Sequence, residues 1–305
     1  MDRFDAMRAF IQVVESGSYT KAAQQLGSHK ATLSLLIQQL EAHLQVRLLT
    51  RTTRSVSPTE EGQAYYHHSR ALLQQLDDAE TQVRQGAQTA VGSLRVNVPV
   101  AIGRQILAPA VRSFLDRHPG VTLELACSDR SVDLIKEGVD CVLRGGNLPD
   151  SGLTALPVGK LHFVLCAAPH YIARFGLPRS PQDILHHTQI GFLLASTNKI
   201  RPIQLQKKDE TLDLLVPARF VTTDSAAALS AGLDGVGIVV LAGFVADNYL
   251  RSGALVEVLP GWRCPPLPLN FVTPTTQHRT QRVKLFMHWA RTLLVEKLGT
   301  QIEPQ

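Results

Sequence analysis

The stretch Ser16-Gly17-Ser18-Tyr19-Thr20-Lys21-Ala22-Ala23-Gln24-Gln25-Leu26-Gly27-Ser28-His29-Lys30-Ala31-Thr32-Leu33-Ser34-Leu35 decides how the N-terminal part of this chain folds. Around it the apolar residues keep helical spacing: Phe4, Met7, Ile11 and Val14, then Ala22, Ala23 and Leu26, then Leu33, Ile37, Leu40 and Leu44. The two breaks, Ser16-Gly17-Ser18 and Gly27-Ser28, pair a residue that ends a helix with one whose hydroxyl can take an orphan N–H of the next. Three short helices follow, and the second and third, joined by so tight a turn, form the skeleton of a helix-turn-helix.

At about 100° per residue, Leu33, Ile37, Leu40 and Leu44 define the buried face of the third helix. Ala31, Thr32, Ser34, Leu35, Gln38 and Gln39 point away from it, and Lys30 stands at its entrance. A merely solvated helix usually shows Glu and Lys there. Small, hydroxyl, amide and apolar groups instead suit a major groove: Gln reads adenine, Ser and Thr read several bases, and apolar atoms meet the thymine methyl. Next come Arg47, Arg51 and Arg54 among Thr50, Thr52, Thr53 and Ser55, with no acidic residue between Glu41 and Glu60. Leu48 to Val56 reads as a hairpin whose guanidinium and hydroxyl donors suit phosphates flanking a groove. The candidate DNA contacts are thus Ser18, Thr20, Ser28, His29, Lys30, Ala31, Thr32, Ser34, Leu35 and Gln38, with Arg51, Arg54 and Ser55 on the wing.

Ser57-Pro58-Thr59-Glu60 reads as a capping box with proline at the first helical position, opening a helix that can run to about Gln88, a rod of roughly 40 Å. Tyr65, Ser69, Leu72, Leu76, Ala79 and Val83 alternate steps of four and three along it, the seam of a coiled coil. This is either a dimerising linker or a helix laid on its own domain. From Gly92 the texture changes. Leu94 to Val100 alternates as a strand, a helix is expected from Arg104 to Arg117, and Val121 to Cys127 is a second strand. The alternation continues through a helix near 132–137, strands at 141–144, 162–168 and 237–241, and helices at 225–233 and 280–298, which argues for mainly parallel α/β architecture. The expected domains are 1–59, 60–90 and 91–305.

The chain has 305 residues, 44% hydrophobic and 19% charged, enough for about two folded domains. The net charge of +5 does not locate a DNA-binding part, because residues 1–90 hold nine basic and nine acidic side chains. Any such claim rests on local arrangement. The charged N-terminus resembles no secretory signal and the apolar, uncharged run Gly235 to Ala246 is only 12 residues, so no membrane span and a cytoplasmic location are expected. Of the catalytic signatures, GxSxG, the P-loop, HExxH and GxGxxG are all missing, and Ser18-Tyr19-Thr20-Lys21 matches SxxK without its companion motifs. His67-His68 and His186-His187 put neighbours on different helix faces, poor for metal ligation, and Cys127, Cys141, Cys166 and Cys264 form no CxxC pair and read as buried thiols. Neither an enzyme nor a bound cofactor or metal is expected.

Phe10 to Glu15, Ser16 to Ala23, Leu26-Gly27, Ser34, Leu40-Glu41, Val46 to Arg54 and Thr59-Glu60-Glu61-Gly62 closely resemble the N-terminal domain of LysR-type transcriptional regulators. Phe114 to Val121, Asp140 to Gly146, Ala168-Pro169-His170-Tyr171 and Gly253 to Val256 resemble the family's effector-binding domain. The resemblance implies a winged helix-turn-helix on a linker helix, then two α/β subdomains similar to type 2 periplasmic binding proteins, with a small-molecule cleft between them. It implies homodimers or homotetramers on partly palindromic double-stranded operator DNA, with RNA polymerase as a further candidate partner. The chain departs from the family pattern at His29, where a serine is usual, making Ser28 the candidate cap, and at Leu35, where a polar or basic residue is usual. The loop Pro99-Val100-Ala101-Ile102-Gly103 lacks the hydroxyl relatives often carry there.

Ligands of open α/β sheets sit beyond the strands' carboxyl ends, often at helix N-termini that favour an anion. Val100 to Gly103, Cys127 to Ser131 and Thr222 to Ala226 meet that description. The effector candidates are therefore Val100, Ala101, Ile102, Gly103, Ser128, Arg144, Thr223 and Asp224, where Arg144 can equally be a structural donor and Asp224 a helix cap.

Overall fold

A computed structural model describes residues 2–51, 56–85, 90–130, 132–146, 153–194, 197–274 and 280–298. Its contacts divide into two compact units, Met1–Gly92 with Asp133–Val139, and Ser93–Val132 with Asp140–Gln305. In the first, α1 (Arg3–Ser16) begins where the Asp2 carboxylate accepts from the N–H of Phe4 and ends at Gly17, whose φ of 63° glycine adopts without strain. Ser18 Oγ accepts from the N–H of Lys21 and opens α2 (Tyr19–Gln25), then Gly27 at φ 60° turns the chain into α3 (Lys30–Leu44). Ala6, Ala9, Phe10 and Val13 meet Tyr19, Ala22 and Ala23 and the predicted stripe Leu33, Ile37 and Leu40 in one core. Each large side chain so buried contributes about 1.5–3 kcal/mol.

The hairpin β1 (Leu49–Arg51) and β2 (Val56–Pro58) pairs antiparallel. Pro58 is therefore a strand residue, and the expected cap moves from Ser57 to Thr59. Thr59 Oγ1 accepts from Gly62 N–H at 2.9 Å and donates to the Arg47 carbonyl at 2.8 Å, opening α4 (Glu60–Gln85). Gly62 has its own reason, since a Cβ there would lie 1.9 Å from the Leu48 carbonyl oxygen. The expected seam along α4 also divides. Tyr65 packs toward the Phe10 ring at 5.7 Å and Ser69 is buried, so both face their own helical core, whereas Leu72 is 50% exposed. The side chains of Ala79 and Val83 lie outside the described residues.

The second unit starts on β3 (Gly92–Val98), whose first residue lies on the boundary. Then α5 (Val100–Ile102) passes through a π turn at Gly103–Leu107 into α6 (Ala108–Leu115), followed by β4 (Val121–Cys127), α7 (Leu134–Glu137), β5 (Cys141–Gly145) and β6 (Thr154–Leu161). Across the cleft the second half holds β7 (Phe163–Ala167), α8 (Pro169–Phe175), α9 (Pro181–Ile184), β8 (Gln189–Leu194), β9 (Lys199–Ile200), β10 (Ile203–Lys207), β11 (Glu210–Leu214), β12 (Ala218–Thr222), α10 (Ser225–Leu233), β13 (Val239–Ala242), α11 (Gly243–Ser252) and β14 (Val256–Glu257). The chain returns by β15 (Leu267–Thr273) and ends on α12 (Gln281–Leu298).

The first half's sheet has the order β4-β3-β5-β15-β6, and the second half holds β13-β7-β14 and β12-β8-β9. The expectation of mainly parallel sheets is corrected. β3–β5 and β12–β8 are parallel, but β15 is antiparallel to β5 and β6, and β13 and β14 are antiparallel to β7. A strand pair formed by a chain leaving through β6 and re-entering through β15 is antiparallel, a relation that counting β-α-β repeats does not register. Phe114, Phe286 and Trp289 interlock at 5.3–5.7 Å under the first sheet, and Trp289 Nε1–H donates to Ser113 Oγ at 2.9 Å. No helix among the described residues is long and apolar enough to cross a membrane.

Candidate functional site

The outward face of α3 is what the spacing predicted. Lys30, Ala31, Thr32, Leu35, Gln38 and Gln39 are exposed, Leu35 by 55%, and Ser34 is half-buried beside the stripe. An exposed leucine amid amide and hydroxyl groups, with no acid in the helix's first turn, is a surface able to approach base edges. The start of the helix corrects the expectation of a Ser28 cap. His29 holds the N-cap position with extended backbone and no side-chain cap bond, so the first turn keeps backbone donors facing outward. Ser18 spends its hydroxyl as the α2 cap, while Thr20 is exposed. Arg51 ends β1 but its side chain, like all of Arg54 and Ser55, lies outside the described residues.

Two groups that sequence reasoning did not assign hold this face in place. Glu41 Oε1 accepts from the N–H groups of Leu48 and Leu49, at 2.8 and 3.1 Å, clamping the hairpin to the end of α3. Glu15 accepts from Tyr66 Oη at 2.8 Å and from Arg70 at 3.1 Å, joining α1 to α4. Burial, with the Glu15 bond second, pushes the Tyr66 phenol up, so it stays a donor. Two of the unit's carboxylates are thereby engaged internally, which is why an even count of acids and bases still leaves α3 without a facing negative charge.

Between the halves of the second unit lies a cleft of about 860 Å³, within the range of small-metabolite sites. Val100, Ala101, Ile102 and Arg144 line it as expected. Gly103 is buried beneath it, where a Cβ would lie 2.3 Å from Cys127 Sγ, so packing explains that glycine. Ser128, Thr223 and Asp224 do not line it. Asp224 caps α10 through the N–H groups of Ala226 and Ala227, at 2.7 and 2.9 Å, and Ser128 Oγ accepts from Arg130 N–H within its own loop. Ser131 lies outside the described residues.

The organising group is Asp129, which lies in the expected segment Cys127 to Ser131 but was not among the candidate residues. Asp129 Oδ1 accepts from Val100 N–H at 3.0 Å, and Oδ2 from Ser225 N–H at 2.9 Å. One carboxylate thus occupies the N-termini of two helices, one from each half, and the anion expected at those donors is the chain's own. Arg144 supports it from behind, donating to the carbonyls of Ser128 and Arg130 and to Asn97 Oδ1, at 2.9, 2.6 and 2.9 Å. Asp129 and Arg144 stand far apart in sequence from Val100 and Ser225, so no local motif announces their meeting. Across the cleft stand Arg201, Phe192, Gln189 and Cys264. Burial pushes the Cys166 and Cys264 thiols up to about 12, so neither is a nucleophile at neutral pH, and Cys141 is buried as well. Cys127, expected to be buried, is exposed at the end of β4.

Comparison with known proteins agrees with this geometry. The family model described as "Bacterial regulatory helix-turn-helix protein, lysR family" matches residues 4–63, and "LysR substrate binding domain" matches residues 87–294. An uncharacterised HTH-type transcriptional regulator of Escherichia coli, YhjC, is 39% identical, covering 98% of this chain and 100% of that one. An HTH-type transcriptional repressor of Pseudomonas aeruginosa is 36% identical over 100% and 96%. Among solved structures, CrgA, a LysR-type transcriptional regulator from Neisseria meningitidis, aligns with a TM-score of 0.60 at 31% identity over 97% of this chain and 98% of that one. The Vibrio cholerae virulence activator AphB aligns at 0.61 and 27% identity over 94% and 98%. The chain belongs to the LysR family: it is a DNA-binding transcriptional regulator with an effector-binding domain, and not an enzyme.

Proposed function

We propose that α3 enters the major groove with Thr32, Leu35 and Gln38 toward base edges, while Lys30, Thr20 and the wing residues Arg51, Arg54 and Ser55 meet phosphates. The observation that carries this reading is the outward face of α3, exposed and free of acidic groups in its first turn, with the apolar Leu35 set among hydroxyl and amide groups. Fluorescence anisotropy with duplexes from the protein's own upstream intergenic DNA tests it. Loss of affinity should be steep with added salt, as phosphate neutralisation requires, and Gln38→Ala should relax preference at particular bases.

We further propose that a small molecule in the cleft controls the outcome by binding one arrangement of the two halves better than another. The cleft's size and its lining from both halves support this. Self-association as a homodimer or homotetramer is proposed through α4, supported by the exposed Leu72, and light scattering of wild type against Leu72→Glu tests it. A regulator that works on the chromosome of a bacterial cell acts in the cytoplasm, and RNA polymerase remains its candidate protein partner.

A further inference from the structure

Within the cleft, taken as the effector site proposed above, the polar groups divide sharply into those already satisfied and those not. Asp129 is taken up by two helix N-termini and Arg144 by three oxygen acceptors. Gln189 donates to the Val216 carbonyl at 2.8 Å and Gln204 to Asp213 Oδ1 at 2.9 Å. Arg201 differs. Its backbone N–H pairs with Phe192, but among the described residues its guanidinium makes no hydrogen bond or ion pair and lies over the Phe192 ring, 5.6 Å from the centroid. Ser225 Oγ, also on the cleft wall, is buried without a hydrogen-bond partner.

A half-buried guanidinium, charged at any working pH, is costly when a ring face and the charge of nearby Asp129, without a hydrogen bond, are what compensates it. Burial pulls its pKa down from the arginine norm, and nearby Asp129 only partly restores it. Around it the wall is apolar, with Phe163, Ile190, Phe192, Leu194 and Leu241. We infer that the effector is a small amphipathic anion whose carboxylate pairs with the Arg201 guanidinium while its apolar or aromatic body fills the wall beside Phe192. The N–H groups of Val100 and Ser225 take no part, because Asp129 already accepts from them. This deepens the effector-cleft reading and rests on it.

Calorimetric titration of the full-length chain with benzoate and hexanoate, each against its neutral amide, tests the inference. Wild type should bind the acids at least roughly tenfold more tightly than the amides, as a charge-assisted pair requires. Arg201→Gln should erase that preference and leave the amides unaffected, and Arg201→Lys should restore part of it. Ser230→Trp, which places a bulky ring on the exposed cleft side of α10, should remove acids and amides together. If acids and amides bind wild type alike and Ser230→Trp removes both, the anion assignment is overturned while the cleft stands. If acid binding survives both Arg201→Gln and Ser230→Trp, it lies elsewhere and the cleft reading falls too. Failure of both acids to bind at millimolar concentration also overturns the inference, and the acid-against-amide comparison in wild type needs no variant to fold.

Discussion

The N-terminus of α3 and the paired N-termini of α5 and α10 solve one electrostatic problem in opposite ways. At α3 no side chain caps the helix, and its first turn stays open to solvent. At α5 and α10 one carboxylate, Asp129, takes a donor from each, so both positive ends already face a negative charge of the chain's own and the two halves of the effector domain are tied to each other. The lesson is that a helix end is a binding feature only where the chain has left it open. The helix end proposed to meet DNA has no side-chain cap on its backbone donors. The effector end has neutralised them internally and leaves selection to a side chain, Arg201.

The largest expected effect comes from removing the internal anion. Asp129→Ala unbinds two helix starts at once, and with each cap worth roughly 0.5–2 kcal/mol it should cost about 1–4 kcal/mol of stability, read by urea unfolding. A loss no greater than that of Asp224→Ala, a one-helix cap expected at about 1 kcal/mol, would break the contrast. Next is Arg144→Ala, which strands the buried Asn97 amide oxygen and frees the loop that carries Asp129, at about 1.5–3 kcal/mol. By contrast Leu35→Ala and Gln38→Ala sit on the open end. They should leave stability within about 0.5 kcal/mol and cost about 1–3 kcal/mol of discrimination between operator and altered bases. The smallest effect is a pH response. Desolvation holds His187 and His118 below the ordinary histidine value of 6.5, so the unfolded chain binds their protons first. Stability of the effector domain should therefore be full above 6.5 and fall as pH drops below it, and His187→Gln should flatten part of that slope.

How far each region could be read from sequence follows the same division. The α3 face was legible because its parts are neighbours: a helical period sorts Leu33, Ile37 and Leu40 from Thr32, Leu35 and Gln38 without knowledge of anything distant. The helix breaks at Gly17 and Gly27 were legible for the same reason. Reading failed first where a hairpin met a helix. Pro58 looked like a helix start because proline suits that position, yet the strand partner Leu49 claimed it and left Thr59 to cap. Along α4 a heptad of apolar steps did not reveal which side the protein's own core would take, and Tyr65 and Ser69 turned inward. The cleft was least legible. Its general address, the helix starts after β3 and β12, leads to Val100, Ala101 and Ile102 on the cleft wall, but Asp129, Arg201 and Ser225 meet only after the chain has crossed between halves. An acid at 129 carries no local mark of the two amides it will accept from.

The central claim, that the outward side chains of α3 read DNA bases, is tested most directly by one binding ratio. Anisotropy at fixed salt compares the upstream intergenic duplex with a shuffled duplex of equal composition, for wild type and for the combined Thr32→Ala, Leu35→Ala, Gln38→Ala variant. The account predicts that the variant keeps the wild-type affinity for shuffled DNA and the same salt slope, while its preference for the intergenic duplex collapses toward one. A variant that still prefers that duplex as strongly as wild type would contradict it.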